Sequence, residues 1–197
     1  MNFQEYSLLA LRTAKPLPKE HQVLHALIGL AGEFGELAGA IKKHVVYGKA
    51  LDRVNVMEEI SDIFWYLNLY MVEKDTNLAL IKKAHEQISE HPGELQKMYE
   101  GDPFSLVMIT LATTTLMATL NIPASERGES DEVVIQHTAL MLCGLLEFCG
   151  YTLSQALETN IAKLAARYGD KYSDYSALNR DTASERVILE GSNAQLD

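Results

Sequence analysis

Between residues 19 and 46, Leu27, Leu30, Phe34, Leu37 and Ile41 advance by threes and fours, and between 52 and 74 so do Val56, Ile60, Ile63, Phe64, Leu67 and Met71. That spacing lays one apolar stripe along one side of a helix, and YGKALD between the two runs reads as a turn. Long helices joined by so short a connection cover their stripes by lying antiparallel. The rest of the chain is punctuated in the same way. Asn2 followed by Glu5 predicts a capping box opening a short helix to about Thr13, which Pro16 and Pro18 end. Asp75-Thr76-Asn77 breaks the chain and recaps a helix ending near Glu90. Beyond HPGE and EGDP, three apolar helical segments are predicted over roughly 103–121, 130–149 and 153–168. No window alternates with period two, so the expected class is all-α, an antiparallel helical bundle.

The run 104–122 is nearly long enough to span a membrane, but its five threonines and acidic flanks predict a buried core helix instead. A faint internal repeat runs through the chain. LIGLAGEFGELAG (27–39) with YLNLYMVEKDTNLALI (66–81) is echoed by MITLATTTLMATL (108–120) with LMLCGLLEFCGYTLSQAL (140–157). The organisation this suggests is a tandem duplication: residues 1–92 as one half, 93–190 as a second half packed on it in one unit, and 191–197 as a tail.

With 27 acidic and 17 basic residues the formal charge is -10, which repels nucleic-acid phosphates, and Lys and Arg do not cluster, so a polynucleotide partner is not expected. Cys143 and Cys149, six apart, form neither a CxxC nor a metal pair and read as buried thiols in a reducing cytoplasm. The N-terminal MNFQEYSLLALRTA lacks the basic and apolar regions of a signal peptide, so neither export nor a membrane anchor is expected.

The chemistry is concentrated in four acids. Glu33 and Glu36 are three apart on the first long helix, Glu59 and Asp62 three apart on the second, and both pairs border the apolar stripes rather than opposing them. Gly29, Gly32, Gly35, Gly39 and Ala40 beside the first pair let a second helix or a ligand approach closely. An antiparallel hairpin would bring the four carboxylates together. Half-buried like charges need a cation, and carboxylate oxygens alone suit Mg²⁺ or Mn²⁺. A di-iron bundle would require Glu-x-x-His, which the sequence lacks.

The stretch GEFGELAGAIKKHVVYGKALDRVNVMEEISDIFWYL resembles the MazG-like, all-α nucleoside triphosphate pyrophosphohydrolases, whose hallmark is Glu-x-x-Glu on one helix and Glu-x-x-Asp on the next. NIAKLAARYGDKYS (160–173) and ALNRD (177–181) match as well, so the resemblance covers the N-terminal 75 or so residues and the C-terminal 40 or so. It implies Mg²⁺ held by Glu33, Glu36, Glu59 and Asp62, and cleavage of a nucleoside triphosphate between the α and β phosphates to a monophosphate and pyrophosphate. It implies further that Glu36, or failing that Glu58, accepts the proton of the attacking water. Lys43, Tyr66, Asn160, Lys163 and Arg167 are the expected substrate contacts, though Lys43 near a helix end also complements the helix dipole. His25, His44 and His137 have no partner at ligand spacing and are expected to be satisfied or at the surface.

The departure from the family is the 60 or so residues between the Asp62 helix and NIAKL. In the second repeat the four acids fall on or beside Thr114, Met117, Val134 and His137, so the halves would imitate a subunit pair with one acidic site. A homodimer, or a pseudo-dimer within one chain, is the expected assembly. An inactive helical scaffold and a phosphohydrolase releasing inorganic phosphate are the competing functions. The preferred base and sugar depend on pocket shape and are not legible.

Overall fold

The computed structural model describes residues 1–91, 93, 97 and 104–191, and among these described residues ten α-helices are delimited and no strand occurs. They are α1 (Phe3–Ala10, continued by a 3₁₀ turn Leu11–Thr13), α2 (Lys19–Val45), α3 (Arg53–Glu73), α4 (Ala79–Ser89) and α5 (Phe104–Ala118). The short α6 (Ala124–Arg127) leads to α7 (Asp131–Phe148) and α8 (Leu153–Tyr168), and α9 (Asp174–Leu178) and α10 (Thr182–Gly191) close the order. Of the expected tail 191–197, Gly191 ends α10, and 192–197 lie outside the described residues, as do most of 92–103.

Local chemistry sets the boundaries. Asn2 and Glu5 form the expected reciprocal capping box, as do Thr152 and Gln155 at the start of α8. Asp52 accepts from the Asn55 amide at 3.0 Å to open α3. Asp75, at φ 53°, takes the chain out of α3, and Asn77 Oδ1 accepts from the Ala79 amide at 2.9 Å to start α4.

The α2–α3 hairpin is the most extensive helix pairing, followed by α4 on α7; α5 lies against α2 and α7, and α8 against α3. One buried cluster joins Phe34, Leu37 and Ile41 of α2, the whole predicted stripe of α3, Ile81 of α4 and Leu142, Leu145 and Leu146 of α7. Helices from before and after residue 93 therefore share a core. A polar tie joins them too: the Tyr70 hydroxyl donates to Asp131 at 2.7 Å, and Arg127 binds the other oxygen at 2.5 Å.

The segment around α5 departs from expectation. Only one of its faces is buried, through Leu106, Thr110, Thr113 and Met117, while Phe104, Met108 and Leu111 are 61%, 65% and 53% exposed. The threonines explain the inversion. Thr110, Thr113 and Thr114 each donate at 2.7 Å to the carbonyl four residues back, so their hydroxyls are satisfied inside the helix and bury without penalty. By length and composition alone, Lys19–Val45 and Phe104–Asn121 are each apolar enough to cross a membrane.

Candidate functional site

The hairpin of α2 and α3 brings Glu33, Glu59 and Asp62 together, with one carboxylate oxygen from each within 4.8 Å of the others. Glu59 is 6% exposed and Glu33 half-buried. Burial, then repulsion from Asp62 and Glu36, pushes Glu33 up to about 7. Burial and repulsion from Glu36, Asp62 and Glu33 push Glu59 up to about 8. With one oxygen of each within 4.8 Å of the other, a proton held on either carboxyl relieves the repulsion between them. Near neutrality the pair is poised between holding that proton and yielding it to a cation. Glu36, the fourth expected ligand, is exposed at the rim of the same cavity, apart from the tight trio.

Behind the acids stands a polar layer from α8. Lys163, without solvent exposure, donates to Asp62 Oδ2 at 2.5 Å and to Glu58 Oε1 at 3.3 Å. Burial opposes its charge, but the two carboxylates outweigh that and raise its pKa. Asn160, equally buried, donates to Asp62 Oδ1 at 2.7 Å and to Ser61 at 3.2 Å, and accepts from the Tyr6 hydroxyl at 2.8 Å. These contacts correct two expectations. Asn160 and Lys163 do not line the cavity; both hold Asp62 from behind, and Lys163 alone offsets the negative charge. Glu58 faces the cavity, but its carboxylate accepts from Lys163. Lys43 is exposed and outside the cavity lining.

The cavity in front of the acids measures about 970 Å³, at the upper end of the range for small-molecule sites. One wall is aromatic. Trp65 and Tyr66 meet edge to face at 4.8 Å, and His25 stands against both at 6.1 and 5.6 Å. Trp65 is fixed by its indole N–H, which donates to Thr13 Oγ1 at 3.1 Å. Tyr66 lies against Gly29 so closely that a Cβ there would fall 2.1 Å from the ring, whereas Gly32, Gly35 and Gly39 face open space. Of the four glycines expected to permit close approach, Gly29 is the one a neighbouring side chain uses. Burial and then the charges of Glu33 and Asp62 push the Tyr66 phenol up to about 12, keeping it a neutral donor.

His25 was expected to be satisfied or at the surface, and it is neither. It lines the cavity, its Nδ1 is buried without a hydrogen-bond partner, and burial lowers its pKa. His44 and His137 follow the expectation, the first bonded to the Lys49 carbonyl at 2.7 Å and the second exposed.

The last wall comes from α8 and the chain after it. Arg167 lines the cavity and donates through Nε and Nη2 to the two oxygens of Glu185, both at 2.7 Å, and Arg180 Nη2 adds a third bond at 2.8 Å. Burial would raise the Glu185 carboxyl, but the two guanidinium groups hold it down at about 2. Trp65, Arg180 and Glu185 are site residues the sequence did not single out. The available signal for the last was Asp181, whose carboxylate accepts from the Ser184 amide at 3.1 Å and starts α10.

The arrangement offers an oxygen-only donor set of the kind hard divalent cations take, facing a cavity with an aromatic wall and paired arginines. No protein-family profile matches the chain, and no curated protein or solved structure shows significant similarity to it.

Proposed function

We propose that this chain is a Mg²⁺-dependent nucleoside triphosphate pyrophosphohydrolase of the MazG-like type, cleaving between the α and β phosphates. The observation that carries the reading is the convergence of Glu33, Glu59 and Asp62 at the floor of a cavity large enough for a nucleotide. The donors fit the ion: they are carboxylates alone, and for two of them burial, then repulsion from neighbouring acids, disfavours ionisation in a way that a cation offsets. Mg²⁺, with Mn²⁺ as substitute, would be held by Glu33, Glu59 and Asp62 with Glu36 at the rim, and when bound it screens phosphate charge and acidifies a water.

The protein's own groups divide the remaining work. Lys163 and Asn160 hold Asp62 in one orientation, so the acidic wall is preorganised before substrate arrives. Glu36 is the base assigned to the attacking water, because Glu58 is engaged by Lys163. Trp65, Tyr66 and His25 provide flat aromatic surface suited to a nucleobase, and Arg167 provides positive charge for the phosphates.

Incubation with a panel of nucleoside triphosphates and Mg²⁺, with products separated, tests the reading. Pyrophosphate with monophosphate supports it. Release of inorganic phosphate would replace it with a phosphohydrolase, and no turnover by a helical, Mg²⁺-binding chain would leave a scaffold. Glu59→Gln and Glu36→Gln should each reduce kcat at least 100-fold, Glu59→Gln together with loss of metal binding and Glu36→Gln with metal binding weakened but present.

A further inference from the structure

We propose that Arg167 and Arg180 form the anion subsite of the cavity, that Glu185 occupies this subsite in the free chain, and that the phosphates of a nucleotide or pyrophosphate displace Glu185 and open the first turn of α10. The inference rests on the nucleotide reading above and adds to it a built-in competitor. Glu185 is 4% exposed, and its carboxylate receives three charged hydrogen bonds, two of them from the planar fork of one guanidinium. Two phosphate oxygens present the same acceptor spacing to that fork as a carboxylate does.

Both arginines line the cavity that contains Glu33, Glu59 and Asp62, so an anion reaching them also faces the acidic floor. The other cations of the lining are engaged elsewhere: Lys15 with Asp174 at 2.6 Å, and Arg186 with Glu190 at 2.7 Å and Asp52 at 3.2 Å. Lys163 is buried against Asp62. Arg167 and Arg180 are thus the pair that converges on one replaceable anion.

Exchange of the ligand and movement of the helix are coupled by electrostatics. If the arginines turned to phosphate while Glu185 stayed in place, a carboxylate would remain buried without a counter-charge, which is strongly unfavourable. Glu185 lies in the first turn of α10, held by its amide donating to the Asp181 carbonyl at 3.1 Å, while Leu189 anchors the other end in the core. The turn around Glu185 therefore opens as phosphate enters, with Leu189 staying in place.

The experiment measures inorganic pyrophosphate binding to the full chain in Mg²⁺ by calorimetry. Glu185→Gln should bind about tenfold more tightly than wild type and Arg180→Gln about tenfold more weakly, the effect of one charged hydrogen bond. Unchanged affinity in both variants, or weaker binding by a folded Glu185→Gln, would overturn the proposal and make the cluster a plain clamp for α10. Should Glu185→Gln lose its helicity, hydrogen exchange of the wild-type chain decides. Pyrophosphate should speed exchange in the segment 182–188, and slowed or unchanged exchange there would overturn the proposal. A chain showing these shifts but hydrolysing no nucleoside triphosphate keeps the anion subsite and loses the hydrolase reading. A chain that hydrolyses triphosphates without the shifts does the reverse.

Discussion

Lys163 Nζ lies 2.5 Å from Asp62 Oδ2 and 3.3 Å from Glu58 Oε1 with none of the lysine exposed, so a buried positive charge backs the acidic wall. Breaking such a pair leaves its partner uncompensated. Lys163→Met should lower unfolding free energy by about 3 kcal/mol in urea titrations. Adding Asp62→Asn should then cost less than the sum of the single changes, with a coupling of about 1 kcal/mol or more. Additive losses would mean that the lysine contributes packing rather than charge.

Gly29 and Gly35 share a helix and should respond oppositely to alanine. At Gly35 an added Cβ meets nothing within 4 Å, so Gly35→Ala should stabilise by about 0.5–1 kcal/mol through lost unfolded-state freedom. At Gly29 the methyl would fall 2.1 Å from Tyr66 Cε1, and Gly29→Ala should destabilise by about 1–3 kcal/mol. Thermal melts of Gly29→Ala and Gly29→Ala/Tyr66→Ala check the cause: the double variant should recover part of the loss relative to Tyr66→Ala alone.

The two predictions draw on different amounts of sequence information. The α2–α3 hairpin was legible because its stripes are long and its acids sit beside them in local register, and a hairpin leaves few ways to pair them. The roles of Asn160 and Lys163 were not, because a helix about 100 residues further along can present the same side chains to a substrate or to the back of Asp62. Arg167 was legible as a cation but its partner was not, since Glu185 lies on a helix of ten residues with little apolar signal. The exposed face of α5 was hidden for another reason. A helix without charges carries no polar face to reveal its orientation, and its threonines bury by bonding to their own backbone.

Asn68 is fully buried on α3 with both its amide nitrogen and oxygen unpaired, between the buried Leu67 and Leu69. A polar group without a partner costs more than an apolar one of similar size. Asn68→Leu should therefore raise the urea midpoint, by about 1 kcal/mol in stability, at unchanged m-value. A loss of stability would show that the amide is hydrogen-bonded in solution.

Glu33 and Glu59 give the chain a metal-linked pH dependence whose sign follows from their raised pKa values. From an ordinary value of 4.5 they move to about 7 and about 8 on folding. Below 4.5 both states hold these protons and no penalty arises. Between 4.5 and 8 the folded state retains protons that the unfolded chain has lost, so stability falls as pH rises, and above 8 the whole penalty is present. A divalent cation favours the ionised folded form, so Mg²⁺ should raise the melting temperature clearly at pH 8 and little at pH 5. Glu59→Gln should flatten the metal-free pH profile and remove most of the Mg²⁺ effect. Melting curves collected across this range with Mg²⁺ and with a chelator test the whole chain of reasoning. An equal Mg²⁺ shift at pH 5 and pH 8 would place the ion away from these two carboxylates.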